Sequence, residues 1–166
     1  MSPENQPGLQ TPQDRVLSDP RLRKAYEYWL SKRTAERLPS RRDMDPVDIS
    51  ICLSGVLLFD VLDDGTDYRI RLAGSHVEEA YGRSLKGIRL RELLGAQPGA
   101  EEVLERLRQV VVTCEPDFRS APVVVPERSF LSFDRVALPL AEDGRRVSHL
   151  FCCFAYSQRR NVRPRP

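Results

Sequence analysis

Apolar positions in this chain first recur at spacings of three and four, then crowd into strand-length runs, return to helical spacing, and end in further runs. Leu22, Ala25, Tyr26, Trp29 and Leu30 fall on one helical face, with Arg21, Arg23, Lys24 and Glu27 off it. That spacing predicts an amphipathic helix of about four turns. Asp19 offers a capping oxygen at its start, and Pro20 suits the first helical position. Residues 1–18 are polar and rich in Pro and Gln, and read as a disordered leader. The stripe has two readings: it docks on its own domain, or Tyr26, Trp29 and Leu30 pack against a second subunit, where Trp and Tyr are enriched.

Pro39 and Pro46 then interrupt regular structure, with a short helical turn expected from Pro46 to Leu53. From Gly55 the period changes. Val56 to Leu62 is a strand-length apolar run, Asp63-Asp64-Gly65 is a turn signal, and Tyr68, Ile70 and Leu72 alternate with Arg69 and Arg71. Together they predict an antiparallel hairpin. Ser75 is placed as the cap of a short helix that Gly82 closes. A helical piece over Gly87–Leu94 and a longer helix over Gly99–Thr113 follow, the latter with Val103, Leu104, Leu107, Val110 and Val111 as its buried stripe. Three strand candidates complete the chain, at Asp117–Val125, Arg128–Leu140 and Arg145–Tyr156, the last two joined by the turn Glu142-Asp143-Gly144. One antiparallel sheet of five strands with helices on one face fits this order, an α+β fold. The last strands are apolar at both parities, which calls for cover on both faces. The N-terminal helix is the natural second cover. The domain is expected over residues 19–157, with a basic tail at 158–166.

Composition narrows the functional classes. Hydrophobic residues make up 40% and charged residues 30%, enough for a core, and no apolar run is long enough for a bilayer span. The N-terminus lacks the basic and apolar regions of a secretory signal, so a cytoplasmic location is expected. The net charge of +2 includes Arg159, Arg160, Arg163 and Arg165 of the tail; removing those four charges from +2 leaves −2 for the remainder. A body of that sign is a poor nucleic-acid binder. The four cysteines, Cys52, Cys114, Cys152 and Cys153, have no metal-ligand spacing and read as buried small hydrophobes. No metal site is expected. No nucleophile–base signature or phosphate-cradling glycine loop occurs either, so the chain is not expected to be an enzyme.

The segments with Tyr28-Trp29, with Leu38-Pro39-Ser40-Arg41 followed by Asp43, Asp45 and Pro46, and with Asp67-Tyr68-Arg69-Ile70-Arg71-Leu72-Ala73-Gly74 resemble PAS domains, in particular a bacterial subfamily of small, often single-domain proteins. Tyr81-Gly82 and Leu85-Lys86-Gly87 extend the resemblance, which spans roughly residues 19–156. It implies a PAS-like sheet with a cavity between sheet and central helices, and a sensory or signalling role exerted by protein–protein interaction. With no output domain recognisable, a signalling protein in trans is the expected partner, and a homodimer through the N-terminal helix is common in such proteins. The alternative is an interaction scaffold whose core is filled by its own side chains.

The resemblance also directs attention to particular residues. Haem-binding PAS domains usually carry their axial histidine on the longer central helix, which has none here, and no flavin-type Asn-Cys-Arg motif lies between Gly74 and Thr113. The cofactor is left unassigned. Of the two histidines, His76 stands at the first short helix beside the implied cavity as a ligand or surface residue, and His149 reads as structural. Arg71 and Arg135 sit among apolar neighbours and must be paired if buried. Either Asp60 or Asp134 answers them internally, or they capture an anionic ligand, since guanidinium matches carboxylate and phosphate geometry. Tyr68, Tyr81 and Phe133 either line the same cavity or form core.

Overall fold

The computed structural model describes residues 10–159. Half of the expected leader (residues 1–9) and most of the basic tail (residues 160–166) therefore lie outside the described residues. Within them the chain begins earlier than its hydrophobic pattern suggests. Helix α1 (Pro12–Val16) starts at a reciprocal capping box between Thr11 and Asp14, with Pro12 in the first turn. Its Val16 is fully buried. The expectation of disorder through residue 18 is thus corrected. A five-residue helix with one apolar contact shows no periodicity, so only its cap residues announce it.

Helix α2 (Pro20–Lys32) begins where Asp19 caps the Arg21 amide at 2.8 Å. Its buried residues are Leu22, Ala25, Tyr28 and Trp29, while Leu30 is 43% exposed. The buried stripe is rotated from the expected one. Tyr28 takes the place of Leu30 because its hydroxyl donates to Asp48 at 3.0 Å and accepts the Asp45 amide at 3.3 Å, tying α2 to the segment that follows. Two 3₁₀ turns, Arg41–Asp43 and Ser50–Gly55, carry the chain to the sheet.

Strands β1 (Val56–Leu62) and β2 (Asp67–Ala73) form the expected hairpin. Helices α3 (Ser75–Tyr81), α4 (Leu90–Leu94) and α5 (Ala100–Thr113) follow, then strands β3 (Asp117–Pro122), β4 (Leu131–Leu140) and β5 (His149–Gln158). The sheet order is β2-β1-β5-β4-β3, antiparallel at every junction. The first helix of the central group is capped by Gly74 rather than Ser75, without a side-chain bond. Gly82 closes it in the left-handed region, at φ 70°.

Gly74 also marks a close approach. A Cβ there would stand 2.2 Å from the Leu53 carbonyl oxygen and 2.4 Å from that of Ser54. Backbone cannot yield as a side chain does, so Gly74→Ala is expected to cost about 1–3 kcal/mol by overpacking. A urea titration followed by circular dichroism measures it; an unchanged midpoint would show that the 50–55 turn can withdraw freely.

The register sorts side chains between the two faces. Leu57, Phe59, Phe133, Arg135, Cys152 and Phe154 face α3, α4 and α5, whereas Leu58, Val136, Leu138, Phe151 and Cys153 face the N-terminal segments. Both faces are covered, which accounts for the continuous apolar run Leu150–Ala155, buried throughout. The adjacent Cys152 and Cys153 point to opposite faces, and burial raises the Cys152 thiol to about 12. A register shift between Leu58 and Phe59 leaves Arg71 as an extra residue in β2. Past this bulge parity inverts: Leu72 pairs with Leu58 and leaves the face that Tyr68 and Ile70 share. No helix among the described residues is long and apolar enough to cross a membrane.

Candidate ligand site between the sheet and the central helices

Between the inner face of the sheet and helices α3 to α5 lies a cavity of about 40 Å³. Phe133, Cys152 and Phe154 form its sheet wall, Tyr81 and Leu107 its helical wall, and Arg135 is the only charged group among the described residues that lines it. The aromatic residues are locked edge to face, Phe133 against Phe154 at 5.3 Å between centroids. Burial raises the Tyr81 phenol to about 12, so it stays protonated at neutral pH.

Arg135 is only 2% exposed. Its terminal nitrogen donates to Asp117, which also takes two bonds from Arg106 of α5, at 2.6 and 3.2 Å. Arg119 stands directly opposite Arg135 on β3 and reaches Glu102 of α5 at 3.0 Å. Burial is the largest cause depressing the Arg119 guanidinium below its usual range, and the charges of Arg135 and Arg106 push the same way. Three buried polar atoms have no partner among the described residues: Arg135 Nε, Arg119 Nη1 and Tyr156 Oη. Groups in that condition forfeit a hydrogen bond that solvent would have supplied.

Of the residues expected to line a ligand site, Tyr81, Phe133 and Arg135 come together here. Tyr68 lies deeper on the same face, fully buried, packed edge to face on Phe59, with its hydroxyl donated to the Gly65 carbonyl at 2.9 Å. Arg71 and His76 do not join them. Arg71 is exposed beside the bulge and bonds Asp60 at 2.7 Å, and His76 is exposed on α3. Asp134 is not the partner of Arg135, because neighbours in a strand point to opposite faces; it bonds Ser120 and lies 3.5 Å from Arg15 instead. Of the residues expected at an interface, Trp29 is fully buried within its own domain, Tyr26 is half-buried and packs edge to face on Phe118 at 5.2 Å, and Leu30 is exposed. Arg106, Asp117 and Arg119 were not expected at the site. Asp117 and Arg119 share a strand parity that hints at one face, but the sequence does not say that this face meets Arg135.

A larger depression of about 770 Å³ lies outside the fold's interior, between Asp63-Asp64, the end of α5 and the β4–β5 turn. Its charges are open to solvent, and Arg146 there pairs with Asp64. Among the described residues no cluster of potential ligands could hold a metal ion.

His149 closes the sheet at the opposite face. Its Nε2 lies 3.2 Å from Asp60 and its Nδ1 3.0 Å from Ser148 Oγ, so a neutral ring protonated on Nε2 satisfies both contacts. Burial holds its imidazole below the ordinary value, outweighing the pull of Asp60 and Glu142. A histidine with a depressed folded-state value is stabilising while neutral. Its contribution is complete above about pH 6.5 and declines as the pH falls below it, because the unfolded chain then binds the proton first. His149→Gln is expected to flatten stability between pH 7 and 5. Parallel pH curves for both proteins would show that the imidazole is not the titrating group.

The family model that matches this chain is the PAS domain, over residues 17–155. The chain belongs to the PAS domain family. Among solved structures, this PAS domain is similar to that of BvgS from Bordetella pertussis, at 17% identity over 66% of this chain and 84% of that chain, with a TM-score of 0.49. It is also similar to a sensory box sensor histidine kinase from Vibrio cholerae, at 18% identity over 69% and 92% of the two chains, TM-score 0.47. A fungal LOV domain photoreceptor matches at 17% identity over 79% and 88%, TM-score 0.49. No curated protein matches the chain. PAS domains are sensory and signalling modules, typically non-catalytic, and the cavity of this PAS domain lies between its sheet and central helices.

Proposed function

We propose that the chain is a non-catalytic sensory module in which an occupant of the inter-layer cavity biases association with a partner signalling protein. The observation that carries this reading is Arg135, which is buried, lines the cavity and has an Nε without a partner among the described residues. A core that existed only for stability would favour an apolar residue there, since burying charge is costly unless every donor is met. The groups at the cavity are guanidinium and phenol groups, suited to binding rather than to proton transfer at neutral pH. The same ion pairs offer a route outward. Asp117 of β3 is shared between Arg135 of β4 and Arg106 of α5, and Glu102 of α5 faces Arg119 of β3. An occupant that re-aims Arg135 would change how α5 seats on the sheet, a shift between two arrangements with different affinity for a partner. Native mass spectrometry of gently purified protein, followed by denaturation and identification of released compounds, tests the reading. A stoichiometric small molecule is the expected result.

A second reading rests on the cavity's size. Forty cubic ångströms is well below the roughly 300–1,000 Å³ of small-molecule pockets. On that reading the module is an interaction scaffold with a filled core, and protein purified without any bound compound would favour it. Under either reading a homodimer through α2 would use Leu30 and its exposed neighbours rather than Trp29, and sedimentation velocity decides whether one forms.

A further inference from the structure

The charges under α5 do not balance. Arg106, Arg119 and Arg135 bring three guanidinium groups together, and Asp117 and Glu102 answer them with two carboxylates. The imbalance is sharper than the count suggests, because Glu102 is 63% exposed and therefore well screened, whereas the Arg135 side chain is 3% exposed. Arg119 and Arg135 are also direct cross-strand partners, the position in which like charges oppose pairing. One donor on each is unpartnered among the described residues, and Arg135 lines the cavity. A net cation with free N–H groups, held in an apolar setting, lowers its free energy when an anion arrives.

We propose that this site receives a small organic monoanion, a short-chain carboxylate that accepts from Arg135, with the Arg119 charge behind it on the neighbouring strand adding to the attraction. The inference rests on the reading above that the cavity takes an occupant. Charge selects the class: one negative charge neutralises the residual cation, whereas a phosphate dianion would overshoot it. Shape agrees, since a planar carboxylate matches the guanidinium fork. The walls Val103, Leu107, Val124 and Phe133 suit an alkyl body, and beside Arg135 the lining carries only the uncharged Tyr81 phenol and Cys152 thiol among the described residues. Size sets the limit. At about 10–15 Å³ of such volume per water-sized occupant, the cavity's 40 Å³ admits a compound of acetate or propionate dimensions and excludes an aromatic or a sugar acid.

The test is thermal melting of the full chain in sodium propionate, sodium nitrate and sodium chloride at equal ionic strength. Propionate is expected to raise the Tm saturably, by about 5–10 °C at a hundredfold excess over its Kd, with the two inorganic salts well behind. Arg135→Leu should abolish the response. Should that variant not fold, Arg135→Lys, which keeps the charge and removes the Nε–H and the guanidinium fork, is expected to weaken propionate binding about ten- to hundredfold by loss of a charged hydrogen bond. An absent propionate response in the unaltered protein overturns the proposal, as does an equal response to nitrate or chloride, which would make this an inorganic-anion site. The cavity reading fails separately. A neutral or larger compound released in native mass spectrometry would overturn the carboxylate and leave the sensor standing, whereas no compound together with no propionate response removes both.

Discussion

Trp29→Ala is expected to cost about 3–5 kcal/mol of folding stability, a large part of the roughly 5–15 kcal/mol that holds a domain together. The indole is fully buried between α2 and the sheet, stacked with Tyr26 at 6.4 Å, with the Arg33 guanidinium 5.0 Å over its ring. Its Nε1 donates to the Pro139 carbonyl of β4 at 2.8 Å, across 110 residues of sequence. Alanine would therefore remove the largest buried side chain of the outer layer and strand a buried acceptor. Trp29→Phe separates the two effects: most of the aromatic volume stays, and about 1–3 kcal/mol should be lost with the hydrogen bond. Urea denaturation followed by circular dichroism is the suitable measurement, since Trp29 is the only tryptophan and its fluorescence disappears with it. An alanine variant that kept full stability but lost self-association would return the ring to a subunit interface.

Asp117→Ala is expected to be nearly as damaging, and Arg135→Leu is not. Removing Asp117 leaves Arg135 buried without its counter-ion and frees Arg106 as well, the situation that costs about 3–5 kcal/mol when one partner of a buried pair is deleted. Removing Arg135 instead takes away a buried cation and relieves the opposition to Arg119, so Arg135→Leu is expected to be neutral or to gain about 1–4 kcal/mol. The double variant should recover most of what Asp117→Ala loses. Chemical denaturation of all four proteins closes this cycle. Equal losses for both single variants would mean that the arginine is held for packing along its stem rather than tolerated as a charge. A measured gain for Arg135→Leu would support the proposed ligand role, because a residue that costs stability where it stands needs another reason to be there.

Much of the fold was legible because it depends on local chemistry. Asp19-Pro20 starts α2 where the cap rules place it, the apolar run at Val56 and the Asp63-Asp64-Gly65 turn make the first hairpin, and the stripe of α5 packs inward at Leu104, Leu107 and Val110. Each signal involves residues within a few positions of one another, and the physics that reads them acts over the same distance. The resemblance of the short segments to PAS domains rests on the same kind of information, and the family match over residues 17–155 agrees with it. Where local signals were faint they misled. Helix α1 has only its capping box to declare it, and the bulge at Arg71 cannot be seen in a pattern that alternates faultlessly through it.

The candidate site was legible only in its apolar half and in Arg135. The resemblance to PAS domains put Tyr81 and Phe133 either beside the cavity or in the core, but the company Arg135 keeps is a matter of register. The β3–β4 pairing that sets Arg119 opposite Arg135 joins residues sixteen positions apart, and a slip of one residue would have turned the two to opposite faces. Tertiary packing likewise decided that Trp29 is core rather than interface, because the stripe of α2 is apolar enough for either and only the sheet's uncovered outer face claims it first. Composition and periodicity, then, determined which elements form and that both faces of the sheet need cover. Which charges meet between the layers, and that they meet unbalanced beside a small cavity, was decided by strand register and by the seating of α5, interactions between residues that nothing along the chain brings into view.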